Sequence, residues 1–522
     1  MVAVMPRATP QTTVTTRRGS LLTAARDGSV DGATVDVVGV PIKEGATAPG
    51  ADARELAAAY RVDLDAVIAG ERVTGKVGEV IRVPVLAPDG LPTRFFLVGV
   101  GAGTPTDFRR AAAALGRAGR GRKHLITTLG NRANAESVRA VVEGLLLGGY
   151  ITPSAGQRAR DTQLPVPIIT LVGDHREAVV AQGLAHARAT VVARDLAEMP
   201  SNLKSPGWLA EQARELGEAA GLRVEVWDED RLRAEGFGGV LAVGSGSATP
   251  PRFVRLDYLP DLPDLGAAGS TRPGARPPRP IVLVGKGITY DTGGISIKPR
   301  ESMVPMKTDM SGAAAVLATL LGCRELGVRR PVTGLLPLAE NAFGASSYRP
   351  GDVVTVHGGT TVEILNTDAE GRMVLADALS YAATRLDPDV IIDIATLTGA
   401  ATQGLGRRHA ALFTGEDRLA AALTTAGVDS GEHVWRMPLV EEYRAVLDSP
   451  IADLRHVPGK GGKVGGGSIT AALFLREFVG AHRWVHLDIA GTARSDREEY
   501  EVNRGATGYG ARLLLRWLES LR

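Results

Sequence analysis

Residues 362–372 read Val-Glu-Ile-Leu-Asn-Thr-Asp-Ala-Glu-Gly-Arg and join a strand-like run to a helix-like run. The apolar run Val362–Leu365 leads into the turn Asn366–Arg372, and Met373–Tyr381 has a helical pattern. The turn carries two carboxylates and a guanidinium. Because desolvated carboxylates are costly unless they are paired or bound to a cation, this strand–turn–helix unit predicts charged partners elsewhere in the chain.

Four charged residues upstream are the predicted partners of this turn: Lys286, Asp291, Lys298 and Asp309. Two of them follow the apolar run Ile281–Val284, and ligands of open α/β sheets bind beyond the carboxyl ends of strands. Taken singly, each acid is explained as a helix cap or turn residue, and each lysine as a solvated surface charge. Their combination with the turn favours a metal-centred hydrolytic site.

The acids of the predicted site carry four formal negative charges, which two divalent metal ions would neutralise. These acids are Asp291, Asp309, Asp368 and Glu370. Oxygen donors suit magnesium or manganese, and zinc also accepts them. Asp368 and Glu370 are two residues apart, so an extended segment would direct both to one face. Lys286 can bind a metal only as a neutral amine, which requires a strongly lowered pKa.

Two cations, Lys298 and Arg372, remain to stabilise a developing oxyanion. No spare general base is evident. We interpret His357 and His409, the histidines nearest these motifs, as structural because neither has ligand spacing to a partner. Metal-activated water, or an exogenous base held by Arg372, would have to accept the proton.

The length of 522 residues favours two domains. Aliphatic runs alternate with Ala-rich helical stretches, which predicts an α/β fold whose two domains each contain a mixed or parallel sheet flanked by helices. We expect a disordered tail over residues 1–30, an N-terminal α/β domain over 31–190 and a larger catalytic domain over 191–522. The stretch 259–280, rich in Pro, Gly, Ala and Arg, is predicted to be a mobile insertion.

In the larger domain the core strands are predicted at Ile281–Val284, Val332–Leu336, Val390–Ile394 and Trp484–Ile489. The helices are predicted at Ser311–Leu326, Arg372–Arg385, Ile469–Val479 and Gly510–Leu521.

Composition narrows the function classes. A formal net charge of +2 argues against a nucleic-acid-binding protein. The single cysteine, Cys323, excludes an intramolecular disulfide and suits a reducing cytoplasm. No apolar run reaches the roughly 18 residues that span a bilayer. Arg17-Arg18 is not followed by the apolar segment of an export signal, so we expect a cytoplasmic protein.

These motifs closely resemble the leucyl (cytosol) aminopeptidase family of two-metal exopeptidases. The matching segments are Asn366–Arg372, Val284–Pro299, Met306–Met310, Ala395–Ala400, His486–Gly491 and Gly505–Gly510. The resemblance covers residues 190–522 firmly and the N-terminal domain loosely. Met373 and Thr292 replace the more common Leu and Ser. The loop Gly459–Gly467 departs from the family pattern, being lengthened by Lys463-Val464. The resemblance implies a cytosolic leucyl aminopeptidase that releases N-terminal residues during intracellular protein turnover.

By position, the resemblance implies two metal sites that share ligands. Lys286, Asp291, Asp309 and Glu370 would hold one ion, and Asp291, Asp368 and Glu370 would hold the other. Manganese is the expected metal, with zinc as the alternative. Lys298 would polarise the scissile carbonyl, and Arg372 would hold a bicarbonate ion that relays the proton.

The resemblance also implies the substrate and the assembly. Peptides with a free N-terminus would bind with an apolar first residue, preferably leucine. The pocket positions are Met306, Thr396, Leu397 and Ala490. The family is typically a homohexamer. Two alternatives stay open: a two-metal phosphoesterase that uses the same acids, and a catalytically silent binding or scaffold protein.

Overall fold

The computed structural model describes residues 11–46, 49–86, 90–153, 164–260, 278–459 and 464–521. The chain divides into two compact units after Val191. The segment Ser495–Gly505 belongs to the N-terminal unit, although we expected the whole of 191–522 to form one domain. Most of the predicted insertion at 259–280 lies outside the described residues. Within the described ranges, no helix combines the length and apolar character needed to cross a membrane.

The N-terminal unit contains a sheet with the strand order β1-β6-β5-β2-β4-β3. Its strands are β1 (Thr13–Arg17), β2 (Val37–Ile42), β3 (Val80–Val83), β4 (Arg94–Gly99), β5 (His124–Thr127) and β6 (Ile168–Val172). Its helices are α1 (Leu21–Asp27), α2 (Ala51–Ala59), α3 (Leu64–Gly70), α4 (Pro105–Ala118) and α5 (Ala135–Gly149).

Both faces of this sheet are covered by apolar side chains, as the near-continuous aliphatic runs predict. In β4, Phe95 and Leu97 pack into one core cluster, whereas Phe96 and Val98 pack into another. Successive residues of a strand point to opposite faces, so a single strand contributes side chains to the core on each face of the sheet. The neighbouring strands are parallel except for β3, which is antiparallel to β4.

The expectation of a disordered tail over residues 1–30 is wrong for the segment Thr13–Asp27. β1 pairs in parallel with β6 along its whole length, from Thr13 opposite Ile168 onward. Helix α1 follows, and the Ser20 hydroxyl accepts the Thr23 N–H at 3.2 Å to cap it. Residues 1–10 lie outside the described part of the chain.

The larger unit is built on a nine-stranded sheet. Strands of this part of the chain are β7 (Arg223–Trp227), β8 (Arg252–Tyr258), β9 (Ile281–Gly285), β10 (Gly287–Asp291), β11 (Val332–Asn341), β12 (Val353–Thr355), β13 (Thr361–Glu363), β14 (Val390–Ala395), β15 (Ala410–Phe413), β16 (Val434–Arg436), β17 (Leu454–Arg455), β18 (Arg483–Asp488), β19 (Arg494–Ser495) and β20 (Gly505–Ala506).

The helices from residue 177 onward are α6 (Glu177–Glu198), α7 (Pro206–Ala219), α8 (Glu229–Ala234), α9 (Gly238–Gly244), α10 (Arg300–Met303), α11 (Ser311–Cys323), α12 (Gly371–Arg385), α13 (Gly399–Leu405), α14 (Asp417–Ser430), α15 (Gly467–Arg476) and α16 (Ala511–Ser520). Among the described residues of this region, 3-10 helices span Val304–Thr308 and Glu441–Leu447.

The centre of the larger sheet consists of the parallel strands β18-β14-β9-β11, with β10 also pairing with β11. Antiparallel β15 and β8 flank this centre. Since parallel strands run in one direction, their carboxyl ends meet at one edge of the sheet. The polar residues at or just beyond these ends are Lys286, Asn341, Thr396 and Asp488.

The predicted core strands and helices of the larger unit are all present, with shifted ends. The strand that leads into the turn is shorter than expected, since β13 ends at Glu363 rather than at Leu365. Its partner β17 contributes only Leu454 and Arg455, so the ladder stops there. Helix α12 begins at Gly371 and is buried without interruption as far as Ala382, which is typical of a core helix. The predicted α/β class with helix-flanked sheets is confirmed.

Candidate metal centre

A cavity of ≈ 470 Å³ opens at the carboxyl edge of the parallel strands. Six of the seven predicted site residues line it, and the structure therefore brings them together: Lys286, Asp291, Lys298, Asp309, Asp368 and Glu370. The seventh, Arg372, is not among the lining residues.

Three buried carboxylates form the centre of the site. Asp291, Asp309 and Glu370 each offer an oxygen, and these oxygens all lie within 4.8 Å of one another. Burial and the charges of Glu370 and Asp309 raise the pKa of Asp291 to about 8. Burial, opposed by Lys286, raises the pKa of Asp309 to about 6. Since like charges this close disfavour ionisation, a divalent cation fits this donor set.

Two ammonium groups, that of buried Lys286 and that of partly buried Lys298, each bridge a pair of acids. Lys286 Nζ lies 2.8 Å from Asp309 Oδ2 and 2.8 Å from Glu370 Oε1. Lys298 Nζ lies 2.8 Å from Asp291 Oδ2 and also contacts Asp368. Burial lowers the pKa of Lys286, but the charges of Asp309 and Glu370 outweigh this effect and raise the pKa above its ordinary value. The amine is therefore protonated in this arrangement. Lys286 can therefore become the expected neutral amine only if a metal cation binds Asp309 and Glu370 in place of its ammonium group.

Asp291 is held by groups that arrive from two directions. Its Oδ1 accepts the Gly293 N–H and the Asn341 side-chain N–H, both at 2.8 Å. Asn341 also donates to the Thr367 carbonyl at 3.0 Å, which ties Asp291 to the turn that carries Asp368. Gly293 has a φ of 86°, a conformation that favours glycine. We did not identify Asn341 from the sequence. The feature that could have indicated it is a polar residue at the end of a buried apolar strand.

Asp309 lines the cavity and does not cap helix α11. The N-cap of α11 is Met310, and no side chain caps that helix. Instead, the Thr396 hydroxyl donates to Asp309 Oδ1 at 2.7 Å. This contact joins the end of β14 to the residue before α11, so the cap interpretation of Asp309 is wrong.

Asp368 and Glu370 do not lie on an extended segment, so that sequence expectation is wrong. Glu370 is the N-cap of α12 and has helical angles, with φ −68° and ψ −35°. Asp368 lies in the preceding turn, where its N–H donates to Asn366 Oδ1 at 3.0 Å. The side chain that accepts a backbone N–H within this turn is thus that of Asn366, and the carboxylates of Asp368 and Glu370 contact the lysines instead.

Arg372 is a buried cation that is not among the residues lining the cavity. Its Nη1 donates to the His456 carbonyl at 2.6 Å. Its buried Nε has no hydrogen-bond partner in the described part of the chain. Burial lowers the pKa of Arg372 to about 10, although Glu370 and Asp488 oppose that effect. A buried guanidinium with an unpaired N–H can hold a small anion.

Asp488, at the end of β18, is a site residue to which we assigned no role from the sequence. Its carboxylate accepts the Leu397 N–H at 3.2 Å and the Thr398 N–H at 3.1 Å. It also accepts the Thr398 hydroxyl at 2.6 Å and the Ala490 N–H at 3.1 Å. Asp488 therefore holds the backbone of residues that line the cavity. The sequence feature that could have indicated it is an acid at the carboxyl end of a predicted strand.

Gly371 leaves space for Lys286, which gives a testable prediction. A Cβ at residue 371 would lie 2.5 Å from Lys286 Cε and 2.7 Å from Nζ. We expect Gly371→Ala to displace this amine from Glu370 and to weaken metal binding by about 10–100-fold, as loss of supporting contacts does elsewhere. Isothermal titration calorimetry with Mn²⁺ measures the effect.

The matched control is Gly207→Ala in the first turn of α7, where the nearest atom to the new Cβ is 3.8 Å away. It should leave the metal affinity unchanged. Equal metal affinities of wild type and Gly371→Ala would contradict this prediction, because they would show that the Lys286 side chain can move without weakening metal binding.

Two family models match the chain. The model of the cytosol aminopeptidase family, catalytic domain, matches residues 191–515, and the N-terminal domain model of the same family matches residues 37–152. A probable cytosol aminopeptidase of Roseiflexus castenholzii is 42% identical over 460 residues, which cover 84% of this chain and 90% of the relative. A probable cytosol aminopeptidase of Corynebacterium diphtheriae is 39% identical over 505 residues, which cover 93% and 94%.

Solved structures resemble the chain over nearly its full length. The bottromycin maturation enzyme BotP in complex with Mn has a TM-score of 0.80 at 38% identity, and the match covers 94% of this chain and 100% of BotP. A tomato leucine aminopeptidase mutant has a TM-score of 0.82 at 29% identity, with 99% and 98% coverage.

Proposed function

This chain belongs to the cytosol aminopeptidase family, and from that premise we propose that it is a leucyl aminopeptidase that uses two divalent metal ions. Membership makes it a metal-dependent peptide hydrolase and confirms the resemblance drawn from the segment 366–372. The observation that carries the finer proposal is the buried cluster of Asp291, Asp309 and Glu370 around the Lys286 amine.

The proposed metal ligands fall into two sets that share Asp291 and Glu370. Lys286, Asp291, Asp309 and Glu370 hold one ion, and Asp291, Asp368 and Glu370 hold the other. In support, all five side chains line one cavity. Manganese is the proposed metal because carboxylates suit it and the similar BotP was solved in complex with Mn. Zinc accepts the same donors. When bound, the ions polarise the peptide carbonyl and lower the pKa of water.

Lys298 is the proposed electrophilic residue. Its side chain is 13% exposed, lines the cavity and contacts both Asp291 and Asp368. Burial lowers the pKa of this amine, but Asp291 and Glu370 raise it above the ordinary value, so it carries a positive charge. An ammonium at this position stabilises the negative charge that develops on the scissile carbonyl oxygen.

Arg372 is the proposed anchor of a bicarbonate ion, which supplies a base when bound. Two observations support this role. The buried Nε of Arg372 has no partner in the described ranges. In addition, the described lining of the cavity contains no histidine, and its glutamate is Glu370, already proposed as a metal ligand.

Selectivity for an apolar first residue, preferably leucine, is supported by the wall of the cavity. Met306, Leu397 and Ala490 present apolar groups there beside Thr396. These four are the pocket positions expected from the sequence. Asp488 fixes the backbone of Leu397 and Ala490, which gives the pocket a defined shape.

The wider biological role is proposed from the family alone. We propose a cytoplasmic homohexamer that acts on peptides with free N-termini during intracellular protein turnover. Size-exclusion chromatography with light scattering measures the assembly.

One assay decides between this proposal and its rivals. After chelation, the protein is reconstituted with manganese, zinc or magnesium and assayed with leucine-p-nitroanilide and p-nitrophenyl phosphate. We expect the chelated protein to be inactive and the manganese form to hydrolyse the anilide. Hydrolysis of the phosphate ester alone would favour the phosphoesterase. Inactivity on both substrates, and on leucyl peptides, would favour the scaffold protein.

A further inference from the structure

His456 is a completely buried histidine outside every predicted motif. Its Nε2 lies 2.8 Å from the Asn366 carbonyl, and its Nδ1 lies 3.2 Å from the Glu363 carbonyl and 3.4 Å from the Leu365 N–H. The carbonyl of the same residue accepts Arg372 Nη1 at 2.6 Å. One residue therefore contacts the start of the Asn366–Arg372 turn through its ring and the end of that turn through its backbone.

The imidazole lies among three backbone groups, two carbonyls and one N–H. The Asn366 carbonyl can only accept, so Nε2 is the donor. Nδ1 lies between the Leu365 N–H at 3.4 Å and the Glu363 carbonyl at 3.2 Å; in a neutral ring that donates through Nε2 it can only accept, and the Leu365 N–H is the donor available to it. Burial and the nearby charge of Arg372 lower the pKa of His456 to about 4, which leaves the ring neutral near pH 7. His456 does not line the cavity, so its contribution is a fixed hydrogen-bond geometry rather than proton transfer to substrate.

Because Asp453 and Thr361 exchange hydrogen bonds and Arg455 pairs with Glu363, contacts outside the imidazole also hold the chain next to His456. His456 follows β17, which contains only two residues and pairs with β13 through Val362 and Glu363. The His456 N–H adds a bond of 3.3 Å to the Glu363 carbonyl. Those contacts join the His456 segment to β13, and the Nε2 bond of the imidazole adds a link to the Asn366 turn that carries Arg372.

We propose that His456 is a positioning residue for Arg372. Its ring ties the chain after β17 to the Asn366 turn, and its carbonyl orients the guanidinium so that Nε is directed to a bound anion. This inference rests on the role of Arg372 in the proposed function. It adds His456 as a residue needed for activity that belongs neither to the Asn366–Arg372 turn nor to the proposed metal ligands.

The first test is His456→Ala in the full-length, manganese-loaded enzyme. We expect kcat for leucine-p-nitroanilide to fall about 10–100-fold, the range seen when supporting contacts are lost or groups shift by about 1 Å. KM and the metal content should stay close to wild type. Bicarbonate should raise the Tm of the wild type but not that of the variant, a readout that does not depend on turnover.

Two further variants separate positioning from general stability. His456→Gln can place an amide N–H near the former Nε2 and should keep most of kcat. His357→Ala removes another buried histidine, bonded to Ser380 at 3.0 Å and outside the cavity lining. It should lower Tm without lowering kcat. If His456→Ala does not fold, His456→Asn, which is too short to reach Asn366, takes its place.

A double-mutant cycle completes the test. In the Arg372→Ala background, His456→Ala should lower kcat by less than about two-fold more, because residues that act as a unit are not additive. Full additivity, wild-type kcat in His456→Ala, or a loss of metal would each overturn the positioning role. Unchanged kcat in Arg372→Ala would instead refute the role of Arg372 in the proposed function, which keeps the two failures distinct.

Discussion

Asp291→Ala is expected to remove metal and activity together. The side chain is buried, lies within the carboxylate cluster and is proposed to bridge both ions. Its loss leaves neither ion with a complete set of ligands. We expect fewer than one metal ion per subunit and a fall in kcat/KM of at least about 10³-fold, since both carbonyl polarisation and charge stabilisation depend on the ions. Metal content by plasma mass spectrometry and anilide hydrolysis measure the two effects.

The control for this substitution is Asp377→Asn. Asp377 is another completely buried aspartate, whose carboxylate accepts the Val240 and His357 N–H groups at 2.7 and 2.8 Å. It does not line the cavity, so its loss should lower Tm and leave the metal content unchanged. A full complement of metal in Asp291→Ala would contradict the proposed ligand sets.

Lys298→Met is expected to keep the metal and lose kcat. The ammonium contacts Asp291 and Asp368, so its removal withdraws a competing cation from two proposed ligands. Metal binding should therefore be no weaker than in wild type. Because the proposed contact to the carbonyl oxygen strengthens only as charge develops, kcat should fall about 10²–10³-fold with little change in KM.

A charge-retaining variant sharpens this prediction. Lys298→Arg keeps a cation but replaces a point charge by a planar fork, so it should recover part of kcat at most. If Lys298→Met turned over leucine-p-nitroanilide at the wild-type rate, the electrophilic role of Lys298 would be wrong. Steady-state kinetics at matched metal occupancy separates the two cases.

The acid cluster was predictable because its members lie close to strong local signals. Asp291 follows a buried apolar strand, and Glu370 lies between a strand-like run and a helix-like run. The ends of parallel strands gather such residues at one edge of a sheet. Which acid pairs with which lysine was not predictable, because that depends on the turn geometry at Asp368 and on helical angles at Glu370.

Residues that support the site through long-range contacts were not predictable. His456 lies in a segment without a clear strand or helix pattern, and its partner Asn366 is 90 residues away in sequence. The polar segment Thr13–Arg17 has no apolar run of its own. It becomes a strand because β6 offers an unpaired edge, a tertiary effect that overrides local composition.

The strand order of the larger sheet has a consequence for how the protein acquires activity. Lys286 follows β9 and Asp488 ends β18, and β14 lies between these two strands. Parallel neighbours require long crossovers, so these pairings close large loops and form slowly. We therefore expect enzymatic activity to return later than helical circular dichroism when the denatured chain is refolded, with the assembled sheet as the last requirement.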